Sequence, residues 1–242
     1  MKTKYLLLSI SLLALLSCNL QAQTLEVKID EKLERYSSEL VQTFDEISDD
    51  RKVELSKTGD FLANQLSENN NYSLLFVCTH NSRRSHIADI WFKYAMLYYG
   101  VKQFESYSGG LEATAFHPNA LAALERAGFT IEYNKKHTNP VVSVTPGHYP
   151  VWTMKSKHYT HQVNPKTNFA AIMVCSDADK SCPLVEGADQ RFSLPYEDPR
   201  YYDNTPSKVL KYDETVETIG REMFFMADYI KSQIIVKLEA KK

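Results

Sequence analysis

Cys78 closes the apolar run Leu74-Leu75-Phe76-Val77, Arg84 follows after five intervening residues, and an amphipathic segment opens at Ser85. A strand, a short turn and a helix in that order let the backbone curl into a cradle. The amides of Thr79, His80, Asn81, Ser82, Arg83, Arg84 and Ser85 can converge there on one tetrahedral anion, aided by the positive end of the helix dipole. The same field suits a sulfur anion at the base of the cradle, which makes Cys78 the candidate nucleophile. Arg84 brings a planar guanidinium that holds two oxygens of a phosphate or arsenate at once. Ser85 is placed to cap the helix and to donate its hydroxyl to the sulfur.

Two more constellations accompany this one. Cys175-Ser176-Asp177-Ala178-Asp179-Lys180-Ser181-Cys182-Pro183 follows the apolar strand pattern that starts at Phe169. A thiol relay needs one sulfur near the nucleophile and another able to reach it after rearrangement, so the segment carrying Cys182 is expected to be a mobile polar loop. The alternatives are two unrelated cysteines or a static disulfide. Asp198-Pro199 lies in Tyr196-Glu197-Asp198-Pro199-Arg200, where the proline fixes the backbone so that the carboxyl can act as a general acid.

The elements that must position these residues alternate from Tyr72 onward. Strands are expected at 73–78, 104–108, 169–175 and 191–194, with helices at 85–99, 118–127 and about 212–238. This pattern argues for an α/β fold, a three-layer sandwich around a mostly parallel four-stranded sheet. Ligands of such sheets bind beyond the carboxyl ends of the strands, so Cys78, Ser108, Cys175 and the loop after Leu194 should gather on one edge. Residues 24–70 form a helical extension ahead of the catalytic domain at 72–242. Ile29, Leu33, Tyr36, Leu40, Phe44 and Ile47 give one apolar stripe, and Leu55, Leu62 and Leu66 mark a second helix, both suited to packing on the catalytic domain. Residues 134–167 hold four prolines and four histidines with little periodicity and read as a long loop. His158 and His161 read as surface histidines, since two imidazoles without a third ligand make a weak metal site.

A formal charge of -2 with 24% charged residues gives no basic stripe and argues against nucleic acid as a partner. Residues 1–22 read as an export signal, with Lys2 and Lys4 ahead of the apolar run Tyr5 to Leu16. That run of about 12 residues is too short to span a bilayer. Cys18, directly after Leu15-Leu16-Ser17, resembles a bacterial lipoprotein processing site, with membrane anchoring through a lipidated Cys18 as the consequence. Cleavage after Ala22 is the rival, and either route makes the chain exported and periplasmic. Without Cys18 the cysteines are Cys78, Cys175 and Cys182, an odd number that closes no disulfide framework and points to redox chemistry.

The stretch Cys78 to Ser85 resembles the signature loop shared by low-molecular-weight protein tyrosine phosphatases and thioredoxin-coupled arsenate reductases. It departs at His80, where the family usually has Gly, and at Arg83, where it has a small residue or Cys. Glycine in such a loop often supplies a positive φ, expected here at His80, which tolerates it better than most non-glycine residues. The Cys175 to Cys182 stretch resembles the redox loop of the arsenate reductases in spacing and in Ser-Asp-Ala-Asp, a pair that plain phosphatases lack. Asp198-Pro199 matches the family's acid position. The resemblance covers about 72–236 and leaves out the N-terminal helices and the 134–167 loop. It implies that Cys78 attacks arsenate held by Arg84 and the loop amides, Asp198 protonates the departing oxygen, and Cys175 and Cys182 relay the disulfide to a thioredoxin-like reductant. It further implies that Asn81 shapes the loop, that Ser108 supports it by hydrogen bonding, and that neither cofactor nor metal takes part. The rival is hydrolysis of phosphotyrosine or another phosphate ester through a phosphocysteine at Cys78. A third reading is an inactive oxyanion-binding protein.

Overall fold

A computed structural model of the chain describes residues 28–68, 71–182 and 184–240. The export signal, the Ala22 cleavage point and Cys18 lie outside these described residues.

Asp30 accepts from the Lys32 amide at 2.9 Å and so starts helix α1 (Glu31–Gln42). Thr43 ends it, its hydroxyl bonding back to the Glu39 and Leu40 carbonyls at 3.1 Å. The expected single stripe is therefore broken. Ile29 lies ahead of the cap, bridged to Gly147, and Phe44–Glu46 forms a separate 3-10 turn before α2 (Asp49–Glu68). Leu33 and Leu40 of α1, with Leu55 and Leu62 of α2, are buried in the main core. At Gly220 a Cβ would stand 2.9 Å from both Leu40 Cδ1 and Trp91 Cε2, so only glycine allows this approach.

β1 (Tyr72–Cys78) leads through the Cys78 loop into α3 (Arg84–Tyr98), then β2 (Phe104–Gly110). α4 (Pro118–Ala127) opens with proline in its first turn and closes on Gly128 at φ 115. The short strands β3 (Thr130–Tyr133), β4 (Val142–Thr145) and β5 (Trp152–Met154) follow. β6 (Phe169–Met173), α5 (Ser176–Ser181), β7 (Gln190–Ser193), a 3-10 turn at Pro199–Tyr202 and α6 (Lys208–Ala240) complete the order.

Every residue of β6 and all but Ser73 of β1 are buried, as befits strands covered on both faces. They lie at the centre of a fully parallel sheet of order β2-β1-β6-β7. α3 packs on β1 and β2, while α6 packs on α1, α2, α3 and α4.

Two expectations are corrected. Residues 134–167 are not a structureless loop: β4 and β5 lie within them and pair antiparallel with β3 as a second sheet, order β3-β4-β5. The alternation Val142-Ser143-Val144-Thr145, with both valines buried, is a strand signal that the surrounding prolines obscure. The strand expected to run to Cys175 ends at Met173, because Cys175 is recruited as the cap of α5.

Leu40→Ala removes a large side chain from the contact between α1 and α6. It is expected to cost about 2–5 kcal/mol in chemical denaturation, within one cooperative transition. A loss below about 1 kcal/mol would show that α1 contributes little to the core.

Candidate active site

The curl between β1 and α3 depends on Asn81, which is fully buried at φ 44. His80 is not the left-handed residue, contrary to the expectation from the sequence. Asparagine takes this conformation at lower cost because its short amide bonds locally. Asn81 Nδ2 donates to Ser85 Oγ at 2.9 Å, and its Oδ1 accepts from the Lys157 amide at 2.8 Å. Because Ser85 Oγ accepts from Asn81, its own proton is free for Cys78 Sγ, 3.0 Å away. The His80 carbonyl accepts from Thr114 Oγ1 at 3.1 Å and Ser156 Oγ at 3.3 Å, while its imidazole Nε2 lies 3.6 Å from Glu112. Lys157, Ser156 and Thr114 are supports that sequence spacing does not reveal, since their partners are more than thirty residues away.

Arg84, 6% exposed, donates from Nη2 to Asp198 Oδ2 at 2.6 Å and from Nη1 to the Tyr196 carbonyl at 2.8 Å. Asp198 also accepts from the Arg200 amide at 3.0 Å, so its carboxylate is fixed at the start of the turn that Pro199 opens. Arg83 behaves differently from its neighbour. Its Nε donates to the Tyr212 hydroxyl at 2.7 Å and its Nη2 to Asp203 Oδ2 at 2.9 Å. Its guanidinium is thus spent on a countercharge, which gives the direction of the added charge that the sequence leaves open, and only its backbone amide is left as a candidate anion donor. Burial alone would raise the Asp203 carboxyl, but hydrogen bonds from Tyr212 and Asn119 and the charge of Arg83 hold it below the usual range. Burial and then the Arg83 charge push His117, beside this cluster, down.

Cys175 is fully buried and accepts from the Ala178 amide at 3.3 Å, which makes it the N-cap of α5. Its sulfur lies 3.4 Å from Thr79 Oγ1, on the residue next to the nucleophile. Cys182 sits at the other end of α5 and donates to the Leu184 carbonyl at 3.2 Å. Cys78, Cys175 and Cys182 are all free and buried, so the static disulfide is absent among the described residues. The expected mobile polar loop is this short helix. At a rise of roughly 1.5 Å per residue its two cysteines stand about 10 Å apart, beyond the roughly 4.4–6.8 Å between Cα atoms that a disulfide spans.

Ser108 stands one step back from the Cys78 loop. It pairs in register with Phe76, a full pleat below Cys78, and its Oγ lies 3.0 Å from His86 Nδ1. Its support goes to the imidazole of α3, which lies against the Asn81 backbone of the loop. His86 is fully buried, stacked on Phe116 at 4.2 Å, and burial keeps its pKa well below the ordinary histidine value. Nothing in its spacing singles it out.

The chain has relatives among known proteins. Residues 73–168 match the family model described as low molecular weight phosphotyrosine protein phosphatase. The match runs through the whole 134–167 tract and stops short of Cys175, Cys182 and Asp198, whereas the resemblance read from the sequence leaves that tract out. "Arsenate reductase 2" of Staphylococcus epidermidis is 28% identical over 127 residues, 52% of this chain and 78% of that protein. "Arsenate reductase" of Staphylococcus aureus strain Newman is 24% identical over 127 residues, with the same shares of the two chains. Among solved structures, a low molecular weight protein tyrosine phosphatase from Bacillus subtilis aligns at 18% identity with a TM-score of 0.45, over 66% of this chain and 97% of that one. The YwlE arginine phosphatase from Geobacillus stearothermophilus aligns at 16% identity and 0.43, over 71% and 97%.

Ser85→Ala deletes the hydroxyl beside Cys78 while leaving the loop backbone in place. Any turnover of an aryl phosphate at Cys78 is expected to fall about a hundredfold with KM little changed, as for loss of one aimed donor. A fall below about twofold would show that the hydroxyl does not serve the sulfur.

Proposed function

We propose that this enzyme reduces arsenate to arsenite through a thiolate nucleophile and a cysteine relay. The observation that carries the reading is the position of Cys175, whose sulfur is 3.4 Å from the hydroxyl of Thr79. A phosphate-ester hydrolase needs no second thiol beside its nucleophile.

In this reading the Cys78 sulfur attacks arsenic in arsenate held by the loop amides and the Arg84 fork. Arg84 turns from Asp198 toward the anion as it binds, and the released Asp198 carboxylate takes up the proton that the Cys78 thiol gives up and passes it to an arsenate hydroxyl, which departs as water. Cys175 then attacks the Cys78 sulfur. The sulfur–arsenic bond breaks, its electron pair stays on arsenic, arsenite leaves, and a Cys78–Cys175 disulfide remains. Cys182 attacks Cys175 next, which returns Cys78 as a thiolate and leaves a Cys175–Cys182 disulfide. An external thioredoxin-like dithiol takes that disulfide back to two thiols. With the proposed export signal and lipidated Cys18, this reductant acts outside the cytoplasm.

The staphylococcal relatives named arsenate reductase support this choice. The phosphatase family match supports the cradle common to both readings. Hydrolysis of an aryl phosphate through a phosphocysteine uses the same Cys78, Arg84 and Asp198 and is the second reading.

Cys175→Ser and Cys182→Ser separate the two. Each is expected to abolish thioredoxin-coupled arsenate turnover and to leave aryl phosphate hydrolysis within about threefold of the parent, since neither sulfur touches a phosphoryl group in that mechanism. Arsenate turnover surviving both changes contradicts the relay. Tight anion binding without turnover of either substrate would favour the inactive oxyanion-binding protein.

A further inference from the structure

One arginine pins α5 to the edge of the sheet. Arg191, on β7, donates from Nε to the Cys182 carbonyl at 3.1 Å and from Nη2 to the carbonyl and carboxylate of Asp179 at 2.7 and 2.5 Å. Ser193, two residues along the same strand and so on the same face, donates to the other carboxylate oxygen of Asp179 at 2.8 Å. All of these bonds hold the C-terminal half of α5. A helix of six residues is far below the roughly 12–15 at which a helix holds by itself in water. Contacts to the body must keep it wound.

The same contacts hide the resolving sulfur. Cys182 is 7% exposed and its thiol is turned to the Leu184 carbonyl, away from Cys175. The phenol of Tyr159, from the tract that carries β4 and β5, lies near it, and burial and then the proximity of Cys182 raise its pKa. Cys182 cannot meet Cys175 while α5 is wound, because a disulfide does not span the length of the helix.

Building on the reductase reading, we propose that Arg191 and Asp179 form a latch that holds Cys182 away from Cys175 in the reduced protein. The relay passes on when the latch parts and α5 unwinds. Cys182, having lost its proton to solvent, then attacks the Cys175 sulfur of the Cys78–Cys175 disulfide. That bond breaks, its electron pair leaves on the Cys78 sulfur, and the new bond joins Cys175 to Cys182. Arg191 touches neither anion nor reacting sulfur and is a positioning residue. The latch keeps the last thiol from being consumed before the first disulfide has formed.

The test is the rate at which iodoacetamide alkylates Cys182 in the reduced full chain, read by peptide mass spectrometry for the parent, Arg191→Ala and Arg191→Lys. Arg191→Ala is expected to speed alkylation about tenfold and to lower the reduction potential of the Cys175/Cys182 couple by the corresponding 30 mV or so. Arg191→Lys, which keeps a cation near Asp179, should recover part of both effects. Aryl phosphate hydrolysis should stay within about twofold of the parent in each variant, as the latch lies outside the Cys78 loop. Should Arg191→Ala not fold, Asp179→Asn is read in the same way. Equal alkylation rates in the parent and the folded variants overturn the latch. The alkylation result needs no arsenate, so a latch that loosens as described in a protein that never reduces arsenate keeps the latch and removes the reductase reading alone.

Discussion

The site rests on one buried asparagine. Asn81 must hold a left-handed backbone, which costs a non-glycine residue roughly 1–2 kcal/mol. Its amide offsets that cost with two buried hydrogen bonds worth about 0.5–1.5 kcal/mol each, to Ser85 and to the Lys157 backbone. A glycine would relieve the strain but supply no bonds. The bond to Ser85 does more than stabilise: by occupying one lone pair of the hydroxyl it leaves the proton for Cys78. Backbone conformation, helix start and the environment of the nucleophile are thus set by one side chain. Gly110, at the end of β2, is part of the same constraint, since a Cβ there would lie 2.5 Å from the Asn81 nitrogen.

Charge at the site follows from pairing. Arg84 and Asp198 are both almost buried and bonded to each other, so removing one partner leaves an uncompensated charge at a cost of about 3–5 kcal/mol. In the proposed reaction this pair keeps the anion-binding group and the acid together until an oxyanion separates them. Arg83 is satisfied by Asp203 and Tyr212 and so leaves the cradle with a single guanidinium directed by Asp198. That division explains how the loop tolerates two successive arginines.

What could be read in the sequence was local. The apolar run into Cys78, the arginine at the start of α3 and the cysteine after a buried strand all follow from chain order and periodicity, and the parallel sheet follows from the alternation of elements. Long-range partners could not be read. No spacing rule ties Arg83 to Asp203, Ser108 to His86, or Asn81 to a backbone amide in the tract of 134–167. That tract looked like a loop because its strands are three and four residues long and set among prolines. His80 drew attention as a departure from a glycine, yet the strain lies one residue later, where a side chain can bond its surroundings. The segment between Cys175 and Cys182 looked mobile because it is polar, and it is helical because a sulfur caps one end and Arg191 holds the other.

The central claim is that three sulfurs act in sequence on one bound oxyanion. A single turnover with arsenate in the absence of any reductant, followed by acid quench and peptide mapping, addresses it most directly. The account predicts one arsenite released per chain, a disulfide joining Cys175 to Cys182, and Cys78 recovered as a free thiol. Finding all three thiols free, with no arsenite formed, would contradict it.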